Sequence, residues 1–435
     1  MTALLYTAGV LLFALGIAAS IGLHELGHLI PGKLFDVKVT QYFIGFGRTI
    51  WSRKRGETEY GVKAIPLGGY VKLVGMLPPE TDAEPEMIRS RNTGMFAQLV
   101  SDARAAEYEH VGPHEHHRLF YNKPWWQRVV IMGCGVTINL VIAFVLLAIV
   151  FMVHGVQVES TTVGVVSQCV KVVHASDTVG GCGHDDPVAP AARAGLRPGD
   201  RIVSFNGVTI NDYGQLQRLI RSNSDGRATI VVDRAGSRRT LHTSTVVHDL
   251  QAVNDPNRMV RVGFLGISPQ IVWQRQGIGF VAHTMVDSTW STLKTIGALP
   301  VKVYHAGRAA LGLEKRDPNG PMSVVGAGRV AGDIASEHVS VSDRLFELLG
   351  LLGSLNLFLG LVNLVPLPPF DGGGIATTLV EAARRGIARL RRRPDPGGLD
   401  AAKLLPLTYA MATLLIAFSV VLILADIVAP IPFQQ

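Results

Sequence analysis

His24, Glu25 and His28, in the run HELGH, stand at a spacing that can do chemistry. Residues four apart on a helix share a face one turn apart, so the two imidazoles can grip one zinc ion while the glutamate beside them takes a proton from water. In a chain of this composition such a run arises by chance with a probability on the order of a per cent. Its setting is unusual, because Met1 to Leu23 contains no Lys, Arg, Asp or Glu and is long enough to cross a bilayer. Imidazoles and a carboxylate at that depth are costly unless coordinated or paired, which favours a metal site over an incidental one.

Zinc hydrolases use three protein ligands and leave the fourth position to water, so a third ligand is expected at similar depth. Asp371, in NLVPLPPFDGGG, is the acid at the end of the third apolar stretch. Pro366, Pro368 and Pro369 break a helix there, and Gly372 to Gly374 allow a sharp restart. Unwound backbone at membrane depth is tolerated where it is buried in protein or lines a cavity, as a water-fed metal site would be. The plainer role for Asp371 is to cap the helix that follows.

The elements that must position these residues are membrane spans. Hydrophobic residues make up 48% of the 435, charged residues 17%, and mean hydropathy is +0.28, which places the chain among membrane proteins. Four apolar stretches are candidates: Thr2 to Leu23, Val129 to Val153, about Leu348 to Val365, and about Leu404 to Val428. The first lacks the positive n-region of a signal peptide. The segment from Lys33 to Arg128 holds 14 Lys plus Arg, and RRGIARLRRR spans Arg384 to Arg393, so both are expected on the cytoplasmic side. The N-terminus and the long segment from His154 to Arg344 then lie outside; its basic residues do not overturn this, because long domains translocate largely regardless of charge. Net charge is +7, yet no basic helix or aromatic RNA-binding pattern is present, and nucleic acid is not an expected partner. Cys169 and Cys182 fall in the outer segment, where an oxidising compartment permits a disulfide, although free thiols are equally compatible with the sequence.

Between the spans, Val39 to Gly75 reads as strands and turns punctuated by Gly. Met76 to Tyr121 is polar and carries HVGPHEHH, from His110 to His117, which could bind metal but reads more simply as a solvated loop. Val156 to Ile267 alternates like a small β-rich domain, and AARAGLRPGDRIVSFNG within it resembles PDZ domains. Ile278 to Leu313 reads as an amphipathic helical segment resting on the outer membrane face.

Taken together, HELGH in the first span, NLVPLPPFDGG after the third, IGFG (Ile44 to Gly47), PLGGYVKL (Pro66 to Leu73) and the PDZ-like segment resemble the site-2 protease family of zinc intramembrane proteases. The likeness is to the bacterial branch with one PDZ domain, of regulator of sigma-E protease type, and it covers nearly the whole chain, the His-rich insertion excepted. It implies a polytopic α-helical membrane protein with about four transmembrane helices, a membrane-associated β-loop and one inserted extracytoplasmic PDZ-like α+β domain. The expected parts are 1–32, first span with zinc motif; 33–75, β-loop; 76–128, cytoplasmic polar insertion; 129–154, second span; 155–267, PDZ-like domain. Then come 268–345, amphipathic membrane-surface segment; 346–372, third span with aspartate motif; 373–403, basic cytoplasmic segment; and 404–430, fourth span.

By the same resemblance His24, His28 and Asp371 hold one zinc ion and Glu25 is the general base. Asn363 matches a family position that supports substrate or transition state, and Asn356, seven residues earlier on a similar helix face, is taken with it, although both and Asn139 could equally be interhelical hydrogen-bonding residues. Gly195, Leu196 and Gly199 form the peptide-binding loop of the PDZ-like domain, and the β-loop pairs with an unwound substrate strand. The implied partners are membrane lipid and single-pass membrane proteins, anti-sigma factors already cut on the outside, hydrolysed within their transmembrane segments in a bacterial cell membrane. The same residues would also suit a membrane-tethered PDZ adaptor with a vestigial zinc motif, a metal-handling transporter, or a peptidase of soluble peptides. The buried motif gives soluble peptides poor access, and the chain lacks the paired repeats of transporters.

Overall fold

The computed structural model describes residues 2–77, 111–112, 114–170, 182, 186–224, 226–252 and 255–431. Along the chain lie α1 (Thr2–Leu34), β1 (Val39–Arg55), β2 (Thr58–Leu73) and α2 (Trp125–Ile149). Next come β3 (Val156–Val166), α3 (Pro190–Arg193), β4 (Arg201–Phe205), β5 (Val208–Thr209) and α4 (Tyr213–Ser222). Four long strands follow: β6 (Arg227–Arg234), β7 (Ser237–Ser244), then β8 (Val246–Ala252) and β9 (Asp255–Phe264), with β10 (Ile267–Gln274) after them. The chain ends in α5 (Ile278–Gly297), α6 (Leu299–Ala310), α7 (Val324–Ser336), α8 (Val341–Asn363), α9 (Asp371–Leu390) and α10 (Leu405–Val428). Residues up to Val153 and from Gly277 onward form one compact unit, and His154–Gln276 forms a second.

Four helices of the first unit are long and apolar enough to cross a membrane: Thr2–Leu34, Trp125–His154, Val341–Asn363 and Ala401–Val428. In lipid, helices associate through close packing at small residues, and the seams here follow that rule. A Cβ built on Gly27 of α1 would lie 2.8 Å from the Gly135 Cα of α2, so the two backbones nearly touch. At the other end of α1, Gly9 meets Ala331 and Ala335 of α7, and Tyr6 covers Gly332. Gly353 and Gly360 give α8 its seat on Leu147 and Leu140 of α2.

Between α1 and α2, the strands bend so that four segments lie side by side. Residues 39–44 pair with 69–73 on one side and with 59–62 on the other, while 49–55 pair with 58–63. Segment 69–73 is therefore an outer strand of this loop. It is held near α1 by the Tyr42 hydroxyl, which donates to the Gly22 carbonyl at 2.8 Å, and by a core of Leu29, Val37, Val39, Leu73, Phe120 and Ile131.

The inserted unit has the antiparallel sheet order β10-β3-β4-β6-β7, with β5 beside β4 and a separate β8–β9 hairpin. Phe205, Ile202, Leu216, Ile230 and Leu265 fill its core, and Cys169 and Cys182 are joined by a disulfide.

Several boundaries differ from those expected. Strand β10 completes the sheet by pairing with β3, so the inserted unit runs to Gln276 and not to residue 267. The expected surface segment 268–345 is consequently divided, and its last helix, α7, packs on α1 through small residues. Helix α8 stops at Asn363, and Asp371 is the first residue of α9, which takes in most of the basic run of the expected segment 373–403. Of the expected insertion, 78–110 lies outside the described residues; His116–Arg118 and Phe120–Asn122 are short 3-10 turns, and Glu115 pairs with Lys38 of the connection into β1.

Candidate active site

Helix α1 needs no side-chain cap to form at the motif, because its apolar run continues through His24 and His28 to Leu34. Asp371 reaches the same point by a different route. The chain leaves α8, makes a tight irregular passage through the prolines, and restarts as α9. Only glycine fits this restart: a Cβ on Gly372 would stand 2.4 Å from the Leu364 and Val365 carbonyl oxygens, and one on Gly373 2.6 Å from the Pro368 nitrogen.

The outcome is a triangle of three atoms. His24 Nε2 and His28 Nε2 are 3.2 Å apart, and they lie 3.2 and 3.3 Å from Asp371 Oδ2. A tetrahedral zinc site with metal–ligand distances of about 2.0–2.1 Å has ligand–ligand edges of about 3.3 Å, so this donor set fits one ion. The protonation pattern fits too. His28 Nδ1 is 2.8 Å from the Ile131 carbonyl oxygen, which can only accept, so Nδ1 carries the hydrogen and Nε2 keeps its lone pair for the triangle. Asp371 Oδ2 is buried and makes no hydrogen bond among the described residues, as expected of a ligand atom whose partner is a cation. His24, His28 and Asp371 are the one cluster among the described residues whose donor atoms could hold a metal. No such cluster includes His114, His116 or His117.

His24, Glu25, His28 and Asp371 line a cavity of about 620 Å³ together with Ser20, Asn139, Asn363 and the strand residues Gly68 to Val71. Glu25 is 9% exposed and packs on the strand, since a Cβ on Gly69 would be 2.9 Å from its Cγ. The cavity thus offers three metal-binding atoms, a carboxylate beside them, and an outer β-strand within reach of both. That combination suits hydrolysis of an extended peptide.

Among the other expected site residues, Asn363 lies on the cavity wall, but Asn356 does not. Asn356 is fully buried and donates to Ser20 Oγ at 3.0 Å and to the Leu352 carbonyl at 2.8 Å, joining α8 to α1. In the inserted unit, the amides of Gly195, Leu196 and Gly199 donate to the carbonyls of Ala192, Ala191 and Val163. The intervening Arg197 amide donates to Asp200. A loop that captures a peptide terminus must present free N–H groups, so Gly195, Leu196 and Gly199 do not supply that site; Leu196 is instead a core residue.

Sequence reasoning missed two supports. Gly135 on α2 leaves room for the His28 ring, for a Cβ there would fall 2.3 Å from Nε2. The short-residue run GCG was its only signal. Arg128, at the start of α2, forms a buried bidentate pair with Glu381 of α9 at 2.8 and 3.2 Å, and Glu381 also pairs with Arg385. This ties the helix that seats His28 to the helix that begins with Asp371.

The chain is similar to known metalloproteases. Residues 12–393 match the model of peptidase family M50. A zinc metalloprotease, Rip1, of Mycobacterium tuberculosis is 32% identical over 444 residues, covering 99% of this chain and 100% of the relative. Metalloprotease MmpA of Caulobacter vibrioides is 27% identical, covering 86% of each chain. The regulator of sigma-W protease RasP of Bacillus subtilis is 24% identical, covering 83% of this chain and 87% of the relative.

Proposed function

This chain belongs to peptidase family M50 and is a zinc metalloendopeptidase of the site-2 protease type, and on that premise we propose that it cleaves membrane-tethered regulators within their transmembrane segments. The observation that carries the proposal is the 3.2–3.3 Å triangle of His24, His28 and Asp371 at the end of an apolar span. These three residues would hold one zinc ion, which when bound makes water more acidic and polarises a carbonyl. Glu25 takes the proton from the attacking water and returns it to the leaving amine. Its burial beside the outer strand keeps bulk solvent from competing for that proton.

A transmembrane substrate must unwind before its carbonyls are accessible, and the lost helical hydrogen bonds must be replaced inside the protein. Segment 69–73 offers a strand edge for that purpose beside Glu25, with Asn363 on the cavity wall as a further polar contact. The substrate class we propose is a single-pass anti-sigma factor trimmed beforehand on the outside, a reading supported by the likeness to the Bacillus regulator of sigma-W protease.

The proposed topology is that of a bacterial cell-membrane protein with the β-loop and α9 cytoplasmic and the inserted PDZ-like unit outside. The basic run Arg384 to Arg393 supports it, as does the Cys169–Cys182 disulfide, which belongs in an oxidising compartment. The inserted unit then screens substrates, and its deletion is expected to change which membrane proteins are cleaved; an unchanged cleavage profile would remove that role.

The test of the proteolytic reading is Glu25→Gln in the full chain with a tagged single-pass substrate. Cleavage is expected to vanish while zinc content stays at the wild-type value. Cleavage at the wild-type rate would refute the assignment.

A further inference from the structure

The cavity holds a polar side chain that neither the metal triangle nor Glu25 accounts for. Asn139 sits on α2 one turn beyond Gly135, the residue against which the His28 ring rests, and the two therefore share a face. It lines the same cavity as His24, Glu25, His28 and Asp371 and is only 2% exposed. Its Oδ1 is sealed from solvent and has no hydrogen-bond partner among the described residues. Burying an amide without a partner is costly, and an apolar residue would serve better if packing were the only demand. Asn356, whose Oδ1 also lacks a partner, donates through its NH2 group to Ser20 and Leu352 and so joins two helices, whereas Asn139 makes no side-chain hydrogen bond among the described residues and lines the cavity, which Asn356 does not.

We infer that Asn139 receives a peptide unit of the unwound substrate on the α2 side of the cavity; the inference rests on the proteolytic reading above. A carboxamide carries one acceptor and two donors, so it complements the N–H and C=O of a peptide group. An extended chain points its backbone groups alternately to its two edges. Where one edge pairs with segment 69–73 near Glu25, the other edge is left without partners in a dry site. Asn139, seated with the His28 face of α1, supplies one there.

The experiment uses the full-length protein in proteoliposomes and a synthetic membrane-spanning peptide, with a series carrying a single N-methylated residue at each position through the cleaved region. Asn139→Leu is expected to lower kcat/KM by about 10- to 100-fold, chiefly through KM, with zinc content unchanged. One N-methyl position that slows the wild type is expected to slow Asn139→Leu no further, whereas positions that pair with segment 69–73 slow both alike. Asn139→Ser, which is smaller and places no new bulk in the bundle, carries the same comparison if the leucine variant does not fold. Wild-type kinetics in these variants, loss of zinc, or additive effects at every N-methyl position would overturn the inference. Glu25→Gln run alongside separates the two claims: cleavage persisting there overturns the proteolytic reading, while cleavage abolished there with additive Asn139 behaviour overturns this inference alone.

Discussion

Replacing Gly135 by alanine adds one methyl group to a helix that alanine otherwise favours, by up to about 1 kcal/mol over glycine. Its position makes it destructive. The new Cβ would lie 2.3 Å from His28 Nε2 and 2.5 Å from Cε1, against an ordinary contact of about 3.5 Å, so ring and helix must separate by about 1 Å. The ring cannot withdraw freely, because its Nδ1 hydrogen bond goes to Ile131 on the same helix at 2.8 Å. Metal sites tolerate displacements of about 0.2 Å, and losing an outer hydrogen-bond partner alone costs about 10- to 100-fold in metal affinity. Gly135→Ala is therefore expected to lower zinc affinity by at least about 100-fold and cleavage in proportion. Gly133→Ala is the internal control, since a Cβ there meets nothing within 4 Å on the same helix. The assay is zinc content by mass spectrometry after dialysis against a graded chelator, read beside cleavage of a membrane substrate and thermal unfolding. Equal zinc retention by the two variants would refute the account of how His28 is held.

Gly372→Ala is expected to abolish zinc binding, because its Cβ would strike two carbonyl oxygens at 2.4 Å, whereas Gly374→Ala, facing only Met132 side-chain atoms from 3.4 Å, should retain most of it; metal analysis of the pair decides. Arg128→Met removes the bidentate partner of buried Glu381, which keeps Arg385 at 3.2 Å, at an expected cost of about 1.5–3 kcal/mol. The double variant Arg128→Met with Glu381→Leu should recover much of this in denaturant unfolding, and failure to recover any would show that the pair is not the source. In the inserted unit, burial opposes ionisation of Asp200, but hydrogen bonds from Arg234 and the Arg197 amide outweigh it and hold the carboxyl below its usual range. A lowered folded pKa contributes stability above the unfolded carboxylate value near about 3.9 and loses it as pH falls through the folded value. Hydrogen exchange of 154–276 should show that unit weakening below that pH in the wild type, and a flatter dependence in Asp200→Asn.

The chemistry was legible in the sequence because it is local. HELGH places two ligands and a base on adjacent helix positions whatever surrounds them, and an uncharged run before it marks a span by length and composition alone. The proline and glycine cluster before and after Asp371 likewise announces a break and restart, because those residues act on their own backbone. The β-loop was readable as strands from its residue types, but not its bending into four segments, which depends on pairings across the loop and places 69–73 on the outside. Tertiary structure alone could bring Asp371 to within 3.3 Å of both histidines and show that Gly135 is the seat of an imidazole. It also separated three asparagines that look alike in sequence: Asn356 donating to Ser20 of a neighbouring helix, Asn363 on the cavity wall, and Asn139 buried at the cavity with no side-chain hydrogen bond among the described residues. The loop at Gly195 to Gly199 makes the same point in reverse. Its residue types suit terminus capture, yet whether an amide is free depends on which carbonyl lies opposite it, and that is decided by the packing of distant segments.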